Sequence, residues 1–281
     1  MKRITRCRGD SLYHACMKPE FRDVRLVQIS DPHLRADPAG TLRGTASLAS
    51  LDHVLSHALG TRPGTDAVLC SGDIVNDEPA GYAHFVRALA PYGRPVYCVP
   101  GNHDDPAQMR AALDWPGFQV GGHVDLGAWR IVLVDSCVPG RAAGHVDADG
   151  LRALDRALAG CDGYALVCVH HHPVAMGSHW LDSVGIENAP EFLAVLDAHP
   201  RVRALVWGHV HQCFEGRRHG VRLLATPSTC AQFLPLSEQF AVDSRPPAYR
   251  RLTLRADGTL DTEVVWVEPV VEQALRAAPR S

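Results

Sequence analysis

No stretch of the 281-residue chain approaches the roughly 18 consecutive apolar residues that a membrane-spanning helix needs, so no membrane partner is expected. The basic residues near the start (Lys2, Arg3, Arg6, Arg8) are not followed by an apolar segment, which argues against a secretory signal. Nine cysteines include no Cys-x-x-Cys pair, so a thiolate zinc site or a thioredoxin-like redox pair has no support. Cys70, Cys98 and Cys168 lie inside apolar runs instead, where a thiol serves as a small hydrophobe in a reducing compartment. A cytoplasmic location follows as the expectation. Basic excess is absent too. A formal net charge of −3 and a pI near 6.6 give no electrostatic footprint for nucleic acid.

What remains is a globular composition, 46% hydrophobic and 21% charged. The length is ample for one large α/β domain. From residue 24 the chain alternates short β-branched runs with helical spacing. Strands are expected at 24–30, 66–71, 95–99, 129–136, 164–169 and 202–207. Between them, Leu48, Leu51, Leu55 and Leu59 mark one helix, Tyr82, Phe85, Val86 and Leu89 a second, and Leu151, Leu154 and Leu158 a third. Strands at 221–226, 249–256 and 259–268 follow without helices, the last two joined by an Asp257-Gly258 turn. Helix-linked strands first and antiparallel strands last imply two packed sheets with helices outside. A single domain over residues 21–270 is expected, with a poorly ordered extension at 1–20, where Met17 offers an alternative start, and a tail at 271–281.

Polar residues collect where five of these strands end: "SDPH" after 24–30, "SGDIVND" after 66–71, "PGNHDD" after 95–99, "HHHP" after 164–169 and "GHVH" after 202–207. Ligands bind outside the carboxyl ends of strands in α/β sheets. Any one cluster is weak, since a lone Asp-x-His is more often a turn beside a surface histidine. Five in succession are not accidental. Asp31-x-His33 and His209-x-His211 place like-facing side chains two apart, if the chain is extended. Asp73 offers a carboxylate able to bridge two ions, and Asn102 a neutral amide oxygen. Such mixed N and O donors suit two ions of the iron or manganese type, with zinc or cobalt as alternatives.

In order and spacing, Asp-x-His, Gly-Asp, Gly-Asn-His-Asp, His and Gly-His-x-His resemble the calcineurin-like metallophosphoesterase superfamily over residues 24–226. The stretches "HHHPVAMGSHWLD" and "RLLATPSTCAQF" look closest to its bacterial class III 3′,5′-cyclic-AMP phosphodiesterases. The resemblance implies a four-layer α/β/β/α sandwich of two mixed sheets flanked by helices. It implies one metal on Asp31, His33, Asp73 and His211, and another on Asp73, Asn102, His209 and one histidine of the 170–172 triplet. In the family that histidine opens a His-x-Pro triplet, here His171; on an extended chain His170 then faces the other way. His33, Asp73, Asn102, His103 and His211 would meet the substrate phosphate. Asp73 and His103 would carry the catalysis, His103 by stabilising the phosphorane or protonating the leaving oxygen.

Two departures narrow the branch. "GDIVNDEP" has no tyrosine for an iron(III) tyrosinate, and His103 stands where lipid-precursor hydrolases carry arginine. The expected activity is metal-dependent hydrolysis of cyclic AMP to 5′-AMP by a monomer or homodimer. Glycerophosphodiesters, 2′,3′-cyclic nucleotides and nucleic-acid ends are the alternative substrates. A non-enzymatic scaffold is disfavoured because every ligand position is filled.

Overall fold

The strands are apolar on both faces, which suits parallel strands buried between two layers. A computed structural model describes residues 21–60 and 64–268; the expected extension at 1–20 and tail at 271–281 lie outside the described residues. One sheet is built from β1 (Val24–Ile29), β2 (Ala67–Cys70), β3 (Val96–Cys98) and β4 (Phe118–Val120), extended by the last two strands of the chain. The other contains β5 (Gly122–Leu126), β6 (Trp129–Leu133), β7 (Tyr164–Cys168), β8 (Val202–Trp207), β9 (Phe214–Arg218) and β10 (Val221–Ala225). With β11 (Ala248–Leu254) and β12 (Leu260–Trp266), the first sheet runs β12-β11-β1-β2-β3-β4 and the second β9-β10-β8-β7-β6-β5.

Period-two alternation divides each central strand between two cores. Leu26, Leu69, Leu166 and Val206 point into the layer between the sheets, beside Trp129 and Leu224. Their neighbours on the outer face of the first sheet, Val27, Ile29, Val68 and Cys70, pack under α1 (Ser47–Leu55) and α2 (Tyr82–Leu89) through Leu51, Val54, Tyr82 and Phe85. Ala165, Val167, Leu205 and Trp207 face out of the second sheet. They meet Leu154, Leu158, Phe192 and Leu196 of the helices Ala148–Ala159 and Ala189–Asp197. Helix, sheet, sheet and helix therefore stack in four layers, as the resemblance implied. The short helix α3 (Pro106–Ala112) starts where Asp105 accepts the amides of Ala107 and Gln108 and Pro106 presets the first turn.

The differences from the sequence reading are at edges. Strand β10 runs parallel to β8, not within a terminal antiparallel set; it is reached through the hairpin partner β9, which sequence patterning missed. Half-exposed Phe-Glu-Gly-Arg-Arg carries no β-branched residue to mark it. Edge strands β4 and β5 meet at Gly121 and Gly122, are no more than half-buried and are too short to show a period, so they read as loop. Trp266 of β12 is only partly buried, with Arg245 over its ring.

Among the polar groups that bridge the two sheets is a buried arginine. Arg250 of β11, wholly buried, donates to the Ala225 carbonyl at 2.8 Å, to Thr226 Oγ1 at 3.3 Å and to Glu215 Oε1 at 2.9 Å, all on the second sheet, and to Thr262 Oγ1 of β12. Its removal strands those acceptors. Arg250→Ala is expected to cost about 2–4 kcal/mol in urea unfolding; a loss below about 1 kcal/mol would show that Arg250 does not tie the sheets together.

Candidate metal centre

Because β1, β2, β3, β7 and β8 run the same way within their sheets, their carboxyl ends deliver five loops to one edge of the sandwich. The first two loops continue the ladder past the strands. Asp31 N donates to Gly72 O at 3.0 Å, His33 N to Asp73 O at 3.0 Å and Leu34 N to Ile74 O at 2.9 Å. The side chains then turn inward by left-handed backbone. Nine non-glycine residues among those described have positive φ, and five are Asp31, His33, Asp73, His209 and His211, at 48–65°. Each costs on the order of 1–3 kcal/mol and clusters of them mark functional sites. The paired side chains thus converge by a left-handed turn, not by the extended alternation read from the sequence.

Two glycines allow the close approach. A Cβ on Gly101 would collide with the Asp73 carboxylate and amide, and one on Gly208 with Ser30 Oγ and the Asp31 carboxylate. The sheets meet here through polar contacts. His209 N donates to both Asp31 oxygens at 3.1 Å, Ser228 Oγ to Asp31 O at 2.7 Å and Thr229 N to Ser30 O at 2.9 Å.

Two donor groups result. In the first, His211 Nε2 lies 3.2 Å from His33 Nε2 and 3.3 Å from Asp31 Oδ1. The other nitrogen of His211 donates to Ala231 O at 2.6 Å, so Nε2 presents its lone pair inward when the ring is neutral. In the second, His170 Nε2 is 3.2 Å from Asn102 Oδ1 and 3.5 Å from Asp73 Oδ2, while its Nδ1 donates to Ser71 O at 2.7 Å. His209 packs against this ring, 5.0 Å between centroids, with Nε2 buried and unpartnered. Asp73 Oδ2 also lies 3.7 Å from His33 Nε2 and so faces both groups. Two facing imidazole nitrogens, orphaned buried ring nitrogens and two buried carboxylates fit a pair of cations better than any arrangement of protons.

The charges agree. Burial opposes ionisation of Asp31 and Asp73, but His211 beside Asp31 and His170 beside Asp73 hold both carboxyls below the usual range, Asp73 far below. Burial alone would also discharge His170; Asp73 and Asp31 instead lift its pKa to about 9. A proton on Nε2, or a cation in its place, answers the Asp73 charge. His33, with burial dominant, drops to about 4.

Within the triplet the structure brings both His170 and His171 to the centre. Strand β7 ends at Cys168, and residues 170 and 171 are bends, so strand alternation does not apply to them. His170 turns toward Asp73 rather than away. His171 shares a neighbourhood with His170 and His209, its Nδ1 held by Ser136 Oγ at 2.7 Å and its Nε2 buried without a hydrogen-bond partner. His172 is buried and stacks on His209.

His103 stands at the open side, partly exposed, its ring 5.1 Å from that of His33. Its Nδ1 meets Asp77 Oδ2 at 3.0 Å, and its amide donates to Asp73 Oδ1 at 2.8 Å. Although burial works against the charged ring, Asp73 and Asp77 raise its pKa. Sequence reasoning missed Asp77 and Asp104. The latter accepts from the amides of Gly101, Ile74 and Val75 and from the Tyr82 hydroxyl, clamping the second and third loops together. Asp104 stood in the quoted "PGNHDD" cluster and was legible as a candidate. Phe233 lies flat on His211, 3.9 Å between centroids at 7°.

Residues 24–213 match the calcineurin-like phosphoesterase family. Over 252 residues the chain is 40% identical to the 3′,5′-cyclic adenosine monophosphate phosphodiesterase CpdA of Pseudomonas aeruginosa, covering 88% of this chain and 92% of that protein. It is 39% identical over 244 residues to the protein of the same name from Escherichia coli K12, covering 86% and 89%. Among solved structures, a dimetal phosphatase from Danio rerio superposes with a TM-score of 0.61 at 15% identity, covering 87% of this chain and 99% of that one. The purple acid phosphatase PPD1 of yellow lupin gives 0.58 at 13% identity, covering 88% and 54%. At such identities these two speak for the fold.

A cation shared by these donors stabilises the folded chain by mass action. Manganese at about 100 times its Kd should add about 2.7 kcal/mol over a chelator-treated sample, read as a higher melting temperature. Superimposable melts would mean that the donors hold no cation.

Proposed function

The chain belongs to the calcineurin-like phosphoesterase family, and on that premise we propose that it is a binuclear metal-dependent phosphodiesterase that hydrolyses 3′,5′-cyclic AMP to 5′-AMP. The observation that carries the reading is Asp73 Oδ2, poised between two donor groups. One ion is assigned to Asp31, His33, Asp73 and His211, the other to Asp73, Asn102, His170 and His209. Imidazole, carboxylate and amide oxygen together favour iron and manganese, with zinc or cobalt as alternatives. Ions so held supply Lewis acidity toward the phosphate and a hydroxide nucleophile near neutral pH.

The protein's own part is positioning and proton transfer. Ser71 and Ala231 carbonyls fix the rings of His170 and His211 by their outer nitrogens. Asp31 and Asp73 are kept ionised in a water-poor seam. His103, oriented through Nδ1 by Asp77, protonates the 3′ oxygen as it leaves on attack at phosphorus. Seven described cysteines are all unpaired, including the neighbours Cys70 and Cys98 on paired strands, which supports a reducing cytoplasm.

Metal-reconstituted protein is expected to convert cyclic AMP to 5′-AMP, resolved by chromatography, with a chelator abolishing the product. Metal-loaded protein that leaves cyclic AMP intact would move the substrate to another phosphodiester. His103→Ala should lower kcat by about 10²–10⁴ at unchanged metal content; loss of metal would make His103 structural. The triplet is decided by elemental analysis. His170→Ala should lose roughly one of the two ions, whereas His171→Ala keeps both and pays in stability. The reverse pattern would restore His171 as the ligand.

A further inference from the structure

A cavity of about 280 Å³ opens beside the centre and shares Asn102 and His103 with it. Val75, Pro79, Val138 and Pro139 line it with apolar surface, and Asp105 and Gln108 supply polar edges. The volume lies just below the ~300 Å³ at which small-molecule pockets begin, room for one flat bicyclic ring and not for a second nucleotide. Apolar walls meeting a few placed polar groups suit a base that needs its faces covered and its edge read.

The polar edge has a direction. Asp105 Oδ1 accepts the Gln108 amide of the main chain at 2.8 Å, as the helix cap. Gln108 lines the cavity, and its side-chain amide offers Oε1 as an acceptor there, beside the acceptor-only carboxylate of Asp105. Asp77, which also lines the cavity, adds a further acceptor. Acceptors favour a ring that presents an amino group. Adenine presents N6–H₂, where guanine presents the O6 acceptor. Another apolar flank of the centre, Trp180, Phe233 and Phe240, is filled by its own edge-to-face contacts at 5.1–5.5 Å.

We infer that this cavity receives the adenine of cyclic AMP, with Gln108 Oε1 accepting from the N6 amino group, and that Gln108 is thereby a specificity-determining residue. The inference rests on the cyclic AMP reading above.

Its test compares kcat/KM for cyclic AMP, cyclic GMP and the base-free diester bis(p-nitrophenyl) phosphate. Gln108 is exposed, so Gln108→Ala leaves the fold intact. That variant should lower the ratio of cyclic AMP to base-free diester about tenfold, mainly through KM, and narrow the preference for cyclic AMP over cyclic GMP. Val138→Trp, which fills the cavity, should lower the same ratio further. Unmoved ratios in both variants overturn the inference, as does a fall in Phe240→Ala that Gln108→Ala does not share. Wild-type protein that cleaves the base-free diester but not cyclic AMP removes the parent reading and this one together. Wild-type turnover of cyclic AMP with unmoved ratios removes only the adenine pocket.

Discussion

Two carboxylates, Asp31 and Asp73, sit wholly out of water at the seam between the sheets, and the rest of the centre answers their charge. An ionised carboxylate in such surroundings persists only if it is paired and hydrogen-bonded. Asp31 takes the His209 amide and faces His211; Asp73 takes the His103 amide and faces His170 and His33. The partners come from four loops carried by the two sheets, so satisfying the two acids requires both sheets to be in place. The left-handed backbone at five of these residues follows from the same demand. Strain of that kind is held by the ladder beneath it, which continues unbroken from β1 and β2 into the loops.

The four-layer packing has a corresponding role. Strands apolar on both faces leave no room for polar groups along their length, so polar residues emerge only where the strands stop. All five motif loops stop on one edge because the strands that carry them are parallel. Asp104 and Ser136 then fix the loops from behind: Asp104 ties the Gly101 and Ile74 amides together, and Ser136 holds the His171 ring through Nδ1. Such outer contacts orient ligands as much as the ligands' own backbone does.

Much of this was legible in the sequence. The central strands, the helix faces at Leu51 and Phe85, the Asp257-Gly258 turn and the gathering of Asp31, His33, Asp73, Asn102, His209 and His211 all follow from period, turn chemistry and strand-end position. What was hidden had no period to show. His170 and His171 follow the last strand residue by two and three, where the chain bends and facing cannot be inferred by alternation. The β9 edge strand is polar and half-exposed, and it forms because β10 offers it a ladder, a tertiary cause with no local mark. Arg250 reads as one more surface arginine, and only the fold reveals it as a buried tie between sheets.

Gly101 and Gly208 carry a consequence of a mechanical kind. With no side chain between their backbones and the acids of the facing loops, the loops close until main chain touches carboxylate. The approach of each loop to its acid is therefore set by the thickness of a polypeptide backbone, with no side chain between them. Side chains throughout the sandwich can drift, and the sheets can retwist, while this stop keeps its setting. In these two residues the centre has a stop made of main chain, whose setting does not depend on the size of any side chain.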